Sequence, residues 1–259
     1  MTAPGSRGKD RFWLAFWRVV VILGVLVIWE VFGRFGGDST WLSRPSAIFE
    51  RLGLWLGDDL WVHVGTTLWA MVLGLIIGVP LGVFTGLLLG RSRVWSSILS
   101  PIVIAIYNIP MIALAPLLIL WFGIELMPKI VLVAVVTYFI LFFSTFTGAR
   151  SVDRDLVSML EIMGASRREQ FVKIVLPASV AWIASAMKLA LPYALIDAIM
   201  GEILASRRGV GFLLNNAISQ IDMAGVYAAL AVMMVIGVAM VELAKVIERR
   251  ALAYRPAIT

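Results

Sequence analysis

The chain has 259 residues, of which 61% are hydrophobic and 15% charged; a soluble domain carries about 45–50% apolar and about a quarter charged residues. The excess, with a mean hydropathy of +0.96, must face lipid or other buried helices. Net charge is +6, but the basic residues lie between apolar segments and form no continuous face for nucleic acid, while the absence of cysteine and the single histidine, His63, argue against disulfides and against thiolate- or histidine-based metal or nucleophile sites; no cofactor is expected.

A spanning helix needs about 20 apolar residues. On that rule the sequence predicts an all-α membrane protein with about six spans, at 12–32, 66–89, 98–122, 130–146, 178–204 and 225–246. The first follows basic Arg7, Lys9 and Arg11. A signal peptide starts in the same way, but this apolar run is long and no small-x-small site follows it, so the span is expected to be retained. After it, Ile48, Leu52, Trp55 and Leu56 recur at helical spacing, as in a short helix at the membrane surface or one packed on the bundle. Trp41, Trp55 and Trp61 suit an interfacial belt. In the second span Gly74, Gly78, Gly82, Gly86 and Gly90 recur every fourth residue. Such a stripe lets another backbone approach closely, within the bundle or across a dimer. Pro80 should kink the same helix or mark a flexible point.

The third span is interrupted by Asn108-Ile109-Pro110 and by Pro116. Carbonyls freed by proline are tolerated at membrane depth only against protein or a wet cavity. Asn108 and Pro110 are therefore candidates to line a substrate path, the alternative being a kinked packing helix. After the fourth span comes a polar, basic interval, 150–173. Asp155 is the expected N-cap of a helix through Leu156, Val157, Leu160 and Met163. Gly164 should end that helix in a left-handed conformation, and Ser166-Arg167-Arg168-Glu169 reads as a capping box opening a second. Pro177 can then open the next helix at its first turn. Two short helices are thus expected to meet at an angle through Gly164-Ala165.

In the fifth span, Lys188, Asp197 and Glu202 are ionisable, at a cost of about 2.5–3.5 kcal/mol each on insertion scales. Lys188 and Asp197 fall on roughly opposite sides of a straight helix, so each needs a partner elsewhere. Lys188 could attract an anion or form a salt bridge, for instance with Glu30 or Glu242. Glu202 is placed near the outer surface, where it can snorkel. All three join the candidates for the path. With the N-terminus inside, 14 basic residues fall on inner segments and 6 on outer ones, which favours both termini in the cytoplasm.

The spacing of Gly164, Ile174, Leu176 and Pro177 resembles the cytoplasmic "EAA" loop of the permease subunits of bacterial binding-protein-dependent ABC importers. In that family the loop is a coupling helix that fits a groove on a separate ATPase. The resemblance covers nearly the whole chain beyond residue 60. Tyr107-Asn108-Ile109-Pro110, Pro116-Leu117-Leu118-Ile119-Leu120-Trp121-Phe122-Gly123, Gly164-Ala165-Ser166, Gly201-Glu202, Gly209-Val210-Gly211 and Glu248-Arg249-Arg250 look most like the nitrate/sulfonate/taurine branch. One departure is that Ser158-Met159-Leu160 stands where Glu-Ala-Ala should fall, with Glu161 three residues after the expected glutamate.

The resemblance implies a type I importer permease fold in a single domain: a cytoplasmic N-terminus (1–11), a first helix and external loop (12–65), a core bundle (66–250), a coupling loop (150–177) and a cytoplasmic tail (251–259). ATPase coupling would then fall to Leu156, Leu160, Glu161, Gly164, Ala165, Ser166, Arg167, Ile174, Leu176 and Pro177. The implied partners are two copies of an ABC ATPase, a second permease copy in a homodimer, and a periplasmic or extracellular substrate-binding protein docking on external segments that include 207–221. All of these sit at the lipid bilayer of a bacterial inner membrane. The implied cargo is a small anion or organic anion such as nitrate, a sulfonate or taurine. The chain has no Gly-x-x-x-x-Gly-Lys-Ser/Thr phosphate loop and no Gly-x-Ser-x-Gly elbow, so it is not expected to be an enzyme. The rivals are a secondary carrier coupled to protons or sodium through Asp197 and Glu202, and a membrane scaffold that only docks partners.

Overall fold

The computed structural model describes residues 6–35 and 42–252; Trp41 and the tail from 253 onward lie outside them. Among the described residues every regular element is helical. In chain order they are α1 (Ser6–Phe35), α2 (Pro45–Leu56), α3 (Leu60–Arg91), α4 (Arg93–Tyr107), a 3-10 turn (Met111–Leu114), α5 (Ala115–Phe122), α6 (Met127–Arg150), α7 (Arg154–Ile162), α8 (Arg167–Gln170), a π turn (Phe171–Val175), α9 (Leu176–Leu204), α10 (Val210–Ser219) and α11 (Met223–Ala251). Five helical stretches are long and apolar enough to cross a membrane, and α4 with the 3-10 turn and α5 makes a sixth that is bent by 74°. That bend falls on Asn108-Ile109-Pro110. Pro116 adds no break, because it occupies the first turn of α5, where its missing N–H has no intrahelical partner to lose. α3 likewise runs through Pro80 as one helix.

The described chain packs as two units. One comprises residues up to 60 with 214–231. In it Trp29 Nε1 donates to the Ser43 carbonyl at 2.9 Å, and the Glu30 carboxylate accepts from the Ser46 N–H and hydroxyl, each at 2.9 Å. Arg34 pairs with Glu30 at 2.7 Å and Arg51 with Asp222 at 2.6 Å. α2 begins at Pro45, with Ile48 buried and Leu56 exposed. The apolar side chains of α1, from Trp13 through Phe35, are largely exposed, as a helix surrounded by lipid requires.

The other unit, 61–213 with 232–259, has α6 between α3 and α9. Small residues set both interfaces. A Cβ added to Gly78 would stand 2.5 Å from the Ala134 carbonyl oxygen, and one on Gly82 would stand 2.5 Å from that of Tyr138. Gly86 meets the Phe142 carbonyl in the same way, and Gly74 and Gly90 meet the Val133 and Ala149 side chains of α6. No side chain fits there, and the glycines let the two backbones touch. On α9 the matching stripe is Ala186, Ala190, Ala194 and Ala198, all buried. The core between them joins Met71, Val133, Leu195, Ile199 and Ile236.

Candidate functional site: the 154–177 loop and a buried lysine–glutamate cluster

The polar interval is built by local hydrogen bonds. Asp153, not Asp155, is the N-cap of α7: it has extended backbone and its carboxylate accepts from the Asp155 N–H at 2.9 Å. The sequence offers two aspartates, and the helix starts two residues earlier than expected, at Arg154. Gly164, at φ +81, closes α7. Its N–H donates to the Glu161 carbonyl at 3.0 Å, and the Ala165 N–H donates to that of Leu160 at 2.9 Å, a paired closure that satisfies two terminal carbonyls. Ser166 and Glu169 then form the reciprocal capping box: the Ser166 N–H donates to Glu169 at 2.9 Å and the Glu169 N–H to the Ser166 hydroxyl at 3.3 Å.

The second helix of the interval is not a separate short one. From Arg167 the chain winds without a break to Leu204, passing through the π turn at Phe171–Val175. There the Leu176 N–H donates to the Phe171 carbonyl, one residue further back than in an α-helix. The widened turn just before Pro177 gives its ring room and accommodates the lost donor. The loop and the fifth span are one continuous rod.

α7 has two faces. Leu156, Met159, Ile162 and Met163 are exposed, Met159 at 60% and Ile162 at 87%. Val157 and Glu161, on the other side, line a cavity under the bundle. Of the expected coupling residues, Leu160, Ala165, Ile174, Leu176 and Pro177 are half-buried, whereas Leu156, Glu161, Gly164, Ser166 and Arg167 are exposed. Met159, Ile162 and Met163 were absent from the sequence-derived set. Their spacing, three and four residues on from Leu156 and Met159, was the available signal.

A second constellation lies at the C-terminal end of α9. Glu202 is only 1% exposed, so it does not snorkel; it is enclosed by protein. Its carboxylate accepts from the Thr67 hydroxyl at 2.9 Å and from the Gly211 N–H at 2.9 Å. Lys129, 2% exposed, stands 3.7 Å away and donates to the Ser206 hydroxyl at 2.7 Å and the Arg208 carbonyl at 3.2 Å. The Val210 N–H donates to Thr67 at 3.0 Å. His63 accepts the Gly209 N–H on Nδ1 at 3.0 Å and stacks on Phe212 at 5.7 Å. Gly209 sits at φ +124, and a Cβ there would collide with the Glu202 carboxylate, so both backbone and space demand glycine. Burying a lysine and a glutamate is tolerable only when both are paired and hydrogen-bonded. The cluster meets that condition and pins the 205–211 turn to α3, α6 and α9. Lys129, Thr67 and His63 were not among the expected site residues.

The other candidates for the path do not share partners with Glu202. Lys188 pairs with Glu248 at 2.5 Å. Glu30 and Glu242, the partners suggested by sequence, instead bind Arg34 and Lys245. Asn108 caps α4 on its own backbone, donating from Nδ2 to the Ile104 carbonyl at 2.7 Å, and Pro110 is exposed beside it. The Asp197 Oδ2 is buried with no hydrogen-bond partner. Among the described residues no group of three or more histidine and carboxylate side chains could hold a metal ion.

The family model described as "Binding-protein-dependent transport system inner membrane component" matches residues 78–252. Among curated proteins, the chain is 31% identical over 237 residues to the putative aliphatic sulfonates transport permease protein SsuC of Escherichia coli, covering 91% of this chain and 90% of that one. It is 30% identical over 250 residues to the riboflavin transport system permease protein RibX of Chloroflexus aurantiacus, covering 95% and 93%. It is 28% identical over 229 residues to the formylaminopyrimidine transport permease protein ThiX of Halalkalibacterium halodurans, covering 88% and 91%. In fold it is similar to a chain of a bacterial ABC transporter involved in alginate import, with a TM-score of 0.64 at 16% identity over 94% of this chain and 98% of that one. It also matches an inward-facing MetNI methionine ABC transporter, with a TM-score of 0.52 at 19% identity over 73% and 94%.

Proposed function

We propose, for a chain that belongs to the family of binding-protein-dependent transport system inner membrane components, one mechanical role: the 154–177 loop is the lever by which an ATPase moves the bundle. The chain is a multi-pass inner-membrane permease subunit of an ABC importer, which implies an ATPase partner. The observation that carries the lever is the continuity of Arg167–Leu204 behind an exposed apolar α7. An ATPase groove would cover Leu156, Met159, Ile162 and Met163. α7 is fixed to α8 by the glycine closure and the capping box, so a push on it turns α8, and the rod carries the displacement along α9. At about 1.5 Å per residue, the 29 residues of α9 reach about 44 Å. At the far end the Lys129–Glu202 cluster ties that movement to the 205–211 turn.

In this reading the loop is cytoplasmic, both termini are inside, two permease copies form the path between them, two ATPases dock below and a substrate-binding protein docks on 207–221. The 14-to-6 asymmetry of basic residues supports the orientation. Asn108 and Pro110, exposed at the bend, face the substrate in the path, and Asp197, whose Oδ2 is buried without a hydrogen-bond partner, lies behind its wall. Lys188, tied to Glu248, no longer argues for an anion. The organic-anion reading of the cargo is supported instead by the sulfonate permeases among the relatives. The carrier rival loses Glu202 as a proton-coupling group, because the cluster encloses it. Vesicles containing this chain, its ATPase and its binding protein should take up sulfonate only with ATP; uptake that persists without ATP or without the ATPase contradicts the reading.

A further inference from the structure

We propose that the cavity between the 154–177 loop and the ends of α3 and α6 binds a phosphate group, and that the bound phosphate fastens the loop to the bundle. For its place at the inner membrane face, and for nothing else, this rests on the orientation proposed above. The cavity has a volume of about 410 Å³ and is lined by Arg91, Arg150 and Arg167, with Glu161 the one carboxylate in its wall. Three guanidiniums against one carboxylate leave a net positive wall. Among the described residues none of these four makes an ion pair within 4.0 Å. The lysines of this unit differ: Lys129, Lys173, Lys188 and Lys245 each face a glutamate.

Two of the guanidiniums are held in place by contacts that use few of their donors. Arg91 donates to the Arg167 carbonyl at 3.1 Å and stands over the Phe171 ring at 5.4 Å. Arg150 donates to the Ser96 hydroxyl at 2.8 Å and stands over the Phe146 ring at 5.3 Å. A guanidinium has five N–H donors, so most of each fork remains for a ligand. Forked, pre-positioned donors match the oxygens of a phosphate, which can accept two at once. Arg91 ends α3, Arg150 ends α6 and Arg167 begins α8, so an anion among them adds to the Gly90 contact that joins α3 to α6 and to the Arg91 hydrogen bond and ring contact that join α3 to the loop. The phosphate can come from the headgroup of an anionic phospholipid, since basic pockets on the cytoplasmic side of spanning helices take such headgroups, or from free phosphate in the cytoplasm.

The test uses the full chain alone, in nanodiscs, with hydrogen exchange of the 154–175 amides as readout. Three conditions are compared: phosphatidylcholine, phosphatidylcholine with phosphatidylglycerol, and phosphatidylcholine with millimolar inorganic phosphate. Relative to zwitterionic phosphatidylcholine alone, at least one of the two conditions with added anionic phosphate should slow exchange by about fivefold, the factor that one basic contact with an anionic lipid surface supplies. Protection by phosphatidylglycerol alone identifies the headgroup; protection by inorganic phosphate as well identifies the free anion. The Arg91→Gln/Arg150→Gln variant should lose the effect, and Arg249→Gln, which removes a charge from the end of α11, should keep it. Equal exchange in all three conditions, or equal loss in Arg249→Gln, overturns the proposal. If the double variant does not fold, broadening of the phosphorus resonance of inorganic phosphate by the wild-type chain in detergent decides the free-anion arm. Retention of phosphatidylglycerol by that chain on transfer to detergent decides the lipid arm, and failure of both overturns the proposal. No ATPase and no membrane sidedness enters any of these measurements, so their failure leaves the importer reading standing, and failure of that reading leaves a phosphate site measurable in detergent.

Discussion

Among single residues, Glu202 has the most demanding environment. Its carboxylate accepts from Thr67 and Gly211 and pairs with Lys129, so removing it leaves a buried ammonium without its counter-charge and two donors without their acceptor. Glu202→Ala should lower stability by about 3–5 kcal/mol, the usual cost of breaking a buried pair from one side. Lys129→Met combined with Glu202→Leu should recover part of that loss, because it removes both charges together. Thermal unfolding in detergent measures both. The sequence showed half of this site. An ionisable residue in the fifth span demands a partner, and Gly209-Val210-Gly211 stood out as a motif. That the partner is Lys129, and that His63 receives the Gly209 N–H, depends on long-range packing; Thr67 and Glu202 are 135 positions apart. Periodicity carries no information about such pairs.

Elements show where local chemistry decides and where it does not. The capping box and the glycine closure depend on neighbours within a few residues, and both were legible in the order of the residues. The π turn at Phe171–Val175 was not, because Pro177 reads equally well as the start of a new helix. The glycine stripe announced close packing but not its partner, since the helix it meets is set by the fold of the bundle. Gly82→Leu would drive a side chain into the Tyr138 carbonyl. It should separate α3 from α6 at a cost of at least about 1–3 kcal/mol, seen as lost folded protein on size-exclusion chromatography. Met159→Asp tests α7 differently. The side chain is 60% exposed, so stability should change by no more than about 0.5 kcal/mol, while ATPase retention in a pull-down should fall at least about tenfold, as expected when a charge is buried in an apolar contact. Unchanged retention would show that this face is not the docking surface.

For the whole molecule, composition and the lengths of the apolar runs were enough to indicate an all-helical membrane protein, because the bilayer imposes one length on every span. The bent pair α4–α5 was visible as Asn108-Ile109-Pro110, though its 74° angle was not. The division of labour between the loop and the buried cluster was not visible, because it depends on one helix joining them across the bundle. In the proposed function the molecule would act as a transmission, with an apolar face receiving the ATPase, a continuous helix carrying its motion and a buried ion pair delivering it to the 205–211 turn. The chain has no cysteine, so one introduced at the 87%-exposed Ile162 is a clean probe of the first step. Ile162→Cys should be unreactive to a membrane-impermeant maleimide in intact cells, should react once the membrane is opened, and should be shielded again when the ATPase is co-expressed. Labelling from outside, or reactivity unchanged by the ATPase, would contradict the lever.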